Sequence, residues 1–86
     1  MPSILIIEDN AKVADVLVRT LQKQGFEAVS APEGQIALSL WERSPADIVI
    51  VDLTLPGMNG EAVCGRIRAH VRGANVPLIM MSGTFA

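Results

Sequence analysis

The sequence predicts an α/β fold built on a doubly wound parallel sheet, and three observations carry that prediction. Ile4-Leu5-Ile6-Ile7 and Ile48-Val49-Ile50-Val51 are apolar runs without polar alternation, as in strands buried on both faces. Amphipathic stretches of helical length separate the strand-like runs, an alternation that demands parallel pairing through right-handed crossovers. Both apolar runs end in carboxylates, Glu8-Asp9 and Asp52. In open parallel sheets, ligands bind just beyond the carboxyl ends of the strands, where core packing has no use for acids.

The elements follow in order. After the first strand, Asn10 is placed to cap a helix whose apolar positions are Val13, Val16, Leu17 and Leu21, and Gly25 supplies a left-handed stop. Phe26 to Ala31 is a short second strand, and Pro32-Glu33-Gly34 turns the chain. Ile36, Ala37, Leu40 and Trp41 form the inner face of a second helix that ends before Pro45. Asp47 to Leu53 is the central strand. Gly60 to Val71 is a third helix with Val63, Cys64, Ile67 and Val71 facing inward, and Val76 to Met81 is a fourth strand.

Composition narrows the function. Half the residues are apolar, which fits one globular domain with a modest core. A net charge of −2, with Lys and Arg scattered over helical stretches, leaves no electrostatic footprint for nucleic acid. No apolar run is long enough to cross a bilayer, and Met1-Pro2-Ser3 lacks the basic start of a signal peptide. The single cysteine, Cys64, forms no internal disulfide and fits the cytoplasm. Glycine-rich nucleotide motifs are absent.

Glu8-Asp9, Asp52 with the following Leu53-Thr54-Leu55-Pro56-Gly57-Met58-Asn59-Gly60, and Ser82 after the fourth strand form a spaced set. That set resembles the receiver domain of two-component response regulators, a flavodoxin-like fold, over Ile4 to Gly83. The resemblance implies strand order 2-1-3-4 and a phosphoryl group accepted on Asp52 from a histidine kinase or phosphotransfer protein. It implies Mg²⁺, or Mn²⁺ in its place, held by Asp9, Asp52 and the main-chain carbonyl of Thr54, with Glu8 acting through water. It also implies Ser82 as the switch hydroxyl that turns toward the phosphate. A hard divalent cation suits such an oxygen set and offsets the repulsion of clustered carboxylates. Pro56 and Gly60 read as loop geometry, His70 as a surface residue, Cys64 as core, and Arg66, Arg68 and Arg72 as solvated helix faces.

The same family carries a fourth helix, a fifth strand bearing a phosphate-contacting lysine, and a fifth helix. No lysine follows Lys23 here. The chain is therefore expected to be the N-terminal part of a receiver, truncated before the fourth helix, with phosphorylation impaired. An interaction fragment without phosphotransfer is the alternative: a homodimer joined through the uncovered fourth strand or sheet face. An aspartate-nucleophile phosphatase of the haloacid dehalogenase type fits poorly, because Thr54 stands where that family needs a second Asp.

Overall fold

The computed structural model describes residues 1–53 and 59–81. Among these, strands β1 (Ser3–Ile7), β2 (Glu27–Ala31), β3 (Ile48–Asp52) and β4 (Leu78–Met81) alternate with helices α1 (Ala11–Lys23), α2 (Gly34–Arg43) and α3 (Gly60–Ala69). The strands pair in parallel in the order β2-β1-β3-β4. The expected α/β class and strand order are both present.

Strict alternation along the strands divides the core into two layers. Leu5, Ile7, Val49 and Val51 point to one face, where Ala37, Leu38 and Trp41 of α2 and Val63, Cys64 and Ile67 of α3 cover them. Ile4, Ile6 and Ala28 point to the other, against Leu17, Val18, Leu21 and Phe26. Helix α1 thus lies on one side of the sheet, and α2 and α3 on the other.

Local chemistry fixes where the helices begin and end. The Asn10 side chain accepts hydrogen bonds from the Lys12 and Val13 amides at 3.0 and 3.2 Å, as its capping role requires. At the far end of α1, Gly25 adopts φ +96°. Its amide donates to Gln22 O and the Phe26 amide to Leu21 O, the paired bonds of a Schellman stop. Asn59 caps α3 through the Ala62 amide at 2.8 Å. At the amino end of the sheet, Asp47 ties β1 to the start of β3 by accepting from Ser3 N and Oγ.

Five expectations need correction. The buried stripe of α1 runs through Ala14, Leu17, Val18 and Leu21, so Val13 and Val16 face solvent. In α2 the inward positions include Leu38, and Ile36 is exposed. Helix α3 stops at Ala69 and leaves Val71 outside, because the His70 backbone turns extended and its amide bonds back to Ile67 O. Hydrophobic type alone did not place these residues: the phase of α1 and α2 against the sheet left Val13, Val16 and Ile36 outside, and the end of α3 at Ala69 left out Val71. Arg68 is also more than a solvated face. Its Nη1 donates to the carbonyls of Gly73, Ala74 and Val76 at 3.1, 3.3 and 2.6 Å, clamping the turn that leads into β4.

Trp41 is buried, and its ring meets His70 edge-on with centroids 5.8 Å apart. His70 is thereby half-buried against α2, with Nδ1 accepting the Arg72 amide, and is not simply a surface group.

Two glycines that look alike in sequence should respond oppositely to alanine. Gly65 is exposed in mid-helix with open space around it, so Gly65→Ala should stabilise by about 0.5–1 kcal/mol. A Cβ on buried Gly73 would overlap the Ile67 carbonyl, so Gly73→Ala should destabilise by about 1–3 kcal/mol. Urea denaturation of the two variants checks both signs.

Candidate metal and phosphoacceptor site

The register of β1 against β3 builds the site. Ile7 pairs with Val51, so the next residues along the two strands, Glu8 and Asp52, emerge side by side at the carboxyl edge. The ladder extends past the formal strand ends on both sides: the Glu8 amide donates to Ala31 O and the Leu53 amide to Met81 O, each at 3.0 Å. Asp9 follows in the tight passage to the Asn10 cap, which holds it beside its neighbours. One carboxylate oxygen from each of Glu8, Asp9 and Asp52 lies within 4.8 Å of the others.

Burial differs among the three. Asp52 is 3 % exposed and Glu8 7 %, whereas Asp9 is open to solvent. The pKa of Glu8 rises from 4.5 to about 7. Burial is the main cause, followed by a hydrogen bond to the Asp52 side chain and repulsion from its charge; a hydrogen bond from the Asn10 amide pulls the other way, and the Asp9 charge adds the smallest push upward. Protonated Glu8 is the natural donor in that bond and the Asp52 carboxylate the acceptor. An open cleft of about 300 Å³ adjoins the cluster, lined by Glu8, Asp9, Asp15, Ser30 and Pro32 among others, and gives access from the α1 side.

The structure thus brings together Glu8, Asp9 and Asp52 of the expected site. Thr54 and Ser82 lie outside the described residues. Glu8, whose exposed alternative would have needed no explanation, proves to be the more buried of the acidic pair. Sequence reading missed Gly60. It is the first residue of α3, it is buried, and an ideal Cβ built on it would lie 2.5 Å from the Asp52 carbonyl oxygen and 2.8 Å from Leu53 Cα. Its place after an acid-bearing strand was visible, but the close approach of α3 was not. Cys64 is buried in the α3 layer, which raises its thiol pKa, as expected for a core residue.

A model of the response regulator receiver domain matches residues 4–85. The chain belongs to the response regulator receiver domain family. It is similar to the sensory transduction protein RegX3 of Mycolicibacterium smegmatis, with 49% identity over 82 residues that cover 95% of this chain and 35% of that protein. It is also similar to the transcriptional regulatory protein AfsQ1 of Streptomyces coelicolor, with 35% identity over 95% of this chain and 35% of that protein. The receiver thus spans about a third of the length of these curated relatives. Among solved structures, the response regulator TrrA of Thermotoga maritima, in complex with Mg²⁺-BeF, matches with TM-score 0.88 and 30% identity over 98% of this chain and 71% of that one. The chemotaxis regulator CheY4 of Vibrio cholerae shares the fold at TM-score 0.94 and 24% identity, over 100% of this chain and 72% of that one. Among the described residues, no helix of this receiver is long and apolar enough to cross a membrane.

The raised Glu8 pKa has a definite pH signature. Between its ordinary value of 4.5 and about 7, the folded receiver holds a proton that the unfolded chain has lost. Metal-free stability is therefore fullest below the lower value and declines as pH rises through the upper one. A divalent cation requires the carboxylate form, so added Mg²⁺ should raise the melting temperature more at about pH 8 than at about pH 6. Glu8→Gln should flatten the metal-free decline. Differential scanning fluorimetry across pH, with and without Mg²⁺, measures both effects.

Proposed function

We propose that this receiver accepts a phosphoryl group on Asp52 from the phosphohistidine of a histidine kinase or phosphotransfer protein, in the cytoplasm. The observation that carries the reading is the convergence of Glu8, Asp9 and Asp52 at one sheet edge, with two of the three buried. Their donor set fits Mg²⁺, or Mn²⁺ in its place. It is all oxygen, it is crowded enough to push one carboxyl toward neutrality, and it lies beside an open cleft. Asp9, Asp52 and the Thr54 main-chain carbonyl would hold the ion, with Glu8 acting through water. The likeness to a receiver solved with Mg²⁺-BeF supports this assignment.

When bound, the cation supplies positive charge that neutralises the transferring group. The chain's own residues do the rest. The Asp52 carboxylate, on a strand end held by the pairing of Asp52 with Met81 and of Val51 with Ile7 and Met80, attacks phosphorus; an O–P bond forms as the N–P bond breaks, and the departing imidazole takes up a proton from solvent. Without the cation a proton on Glu8 relieves the crowding around Asp52; with the cation bound, Glu8 is free to ionise and adds its charge to the edge. Ser82 is assigned the switch hydroxyl.

Mass spectrometry after acetyl phosphate treatment tests the assignment. Labelling should be Mg²⁺-dependent, confined to Asp52 and abolished by Asp52→Asn; label on another residue, or label without a divalent ion, would overturn it. No lysine follows Lys23 within these 86 residues, so a phosphoryl group on this stretch alone would be without the ammonium contact that the resemblance places on a fifth strand. Labelling of the 86-residue chain should therefore be slower than that of a lysine-bearing receiver by on the order of 10²–10³.

A second reading, self-association, rests on a different observation. On β4, an edge strand among the described residues, Ile79 and Met80 are 51 % and 53 % exposed and point to opposite faces. A second copy is proposed to cover them as a homodimer, by extending the sheet or by packing face to face. Sedimentation equilibrium should then give a dimer that Ile79→Lys dissociates without unfolding. A monomer at high micromolar concentration would refute it.

A further inference from the structure

The geometry assigns Gly60 as the positioning residue of Asp52: the bare Cα of the first residue in α3 sets how closely that helix approaches the acid-bearing end of β3. The inference rests on the proposed role of the acidic edge and names a residue outside it. Gly60 is buried, and an ideal Cβ there would lie 2.5 Å from Asp52 O, 2.8 Å from Leu53 Cα and 3.2 Å from Asp52 C. Every near neighbour is main chain. A flexible side chain could swing aside, but this strand end cannot. Val51 pairs with Ile7 and Met80, Asp52 pairs with Met81, and the Leu53 amide donates to Met81 O.

The helix is just as constrained. Asn59 caps it at the Ala62 amide, and Val63 and Ile67 are fully buried against the sheet one and two turns further on. Any side chain at position 60 must therefore push α3 outward or move the Asp52–Leu53 backbone. Because neither partner can yield alone, the displacement is shared, and the part taken up by the Asp52–Leu53 backbone changes the spacing of Asp52 from Glu8 and Asp9, whose carboxylate oxygens now lie within 4.8 Å. Sites for small hard cations tolerate only a few tenths of an ångström in ligand placement, so a shift that a core would absorb is lost affinity here. The glycine serves no backbone need of its own: its φ is not in the left-handed region, and its freedom from a side chain is what the contact uses.

The test separates positioning from general stability. Gly60→Ala is compared with Ile67→Val, which trims the same buried helix face two turns from the acids, and both are made in the Gly65→Ala background. That background replaces an exposed mid-helix glycine and keeps the variants folded. Two quantities are read: Mg²⁺ affinity by calorimetry, and the ¹³C resonances of the Glu8 and Asp52 carboxyls without metal. Gly60→Ala should weaken Mg²⁺ binding by about tenfold or more and shift both carboxyl resonances. Ile67→Val should lower the melting temperature with Mg²⁺ affinity within about twofold and the resonances in place. Unchanged affinity and resonances in Gly60→Ala would overturn the assignment, as would failure of that variant to fold in the stabilised background, since a global requirement would then suffice. If the parent itself binds no Mg²⁺, the proposed metal role falls, and the carboxyl resonances alone still decide whether Gly60 positions Asp52.

Discussion

Everything at the acidic edge depends on the register between β1 and β3. In that register Ile4, Leu5, Ile6 and Ile7 face Ile48, Val49, Ile50 and Val51 one to one. A slip by one residue would turn every side chain of a strand to the other layer. Leu5, Ile7, Val49 and Val51 would then leave the cover of α2 and α3, and Ile4 and Ile6 that of α1. Apolar burial on both faces of two central strands resists this strongly, at roughly 25 cal/mol per Å². The same register delivers Glu8 and Asp52 as neighbours. The hydrophobic pattern, which carries no chemistry, is thus what holds two carboxyls against their mutual repulsion.

The two ends of the sheet spend their acids differently. At the amino end, Asp47 is exposed and accepts from the amide and hydroxyl of Ser3, so its charge is answered within the fold. At the carboxyl end, Glu8 is buried, bonded to another carboxyl and driven toward neutrality. One arrangement fastens a strand. The other leaves the electrostatic demand that the proposed cation would meet, and it lies where strands hand over to helices and an open cleft adjoins. The difference is one of burial and partners, since both are carboxylic acids.

Helix ends act as rulers between the layers and the site. The Asn10 and Asn59 caps fix the starts of α1 and α3, one directly after the acidic pair and the other against the backbone of Asp52. The Schellman stop at Gly25 and the Arg68 clamp on the turn into β4 limit how far either helix can slide.

The sequence alone determined the class, the order of the elements, the parallel pairing and the three carboxylates. Each of these follows from strong, short-range signals: unbroken apolar runs, asparagine caps, a left-handed glycine, and acids at strand ends. Asp52 could be read because it terminates a run that tolerates no charge within it. Only the tertiary structure decided which side of each helix is buried. Val13, Val16, Ile36 and Val71 are as apolar as their buried neighbours; helix phase left the first three outside, and the end of α3 at Ala69 left out Val71. The titration of Glu8 and the role of Gly60 were likewise hidden. Both arise from atoms brought together across the fold, a carboxyl against a carboxyl and a bare Cα against a carbonyl, and proximity of that kind is set by packing between elements and leaves no mark on local sequence.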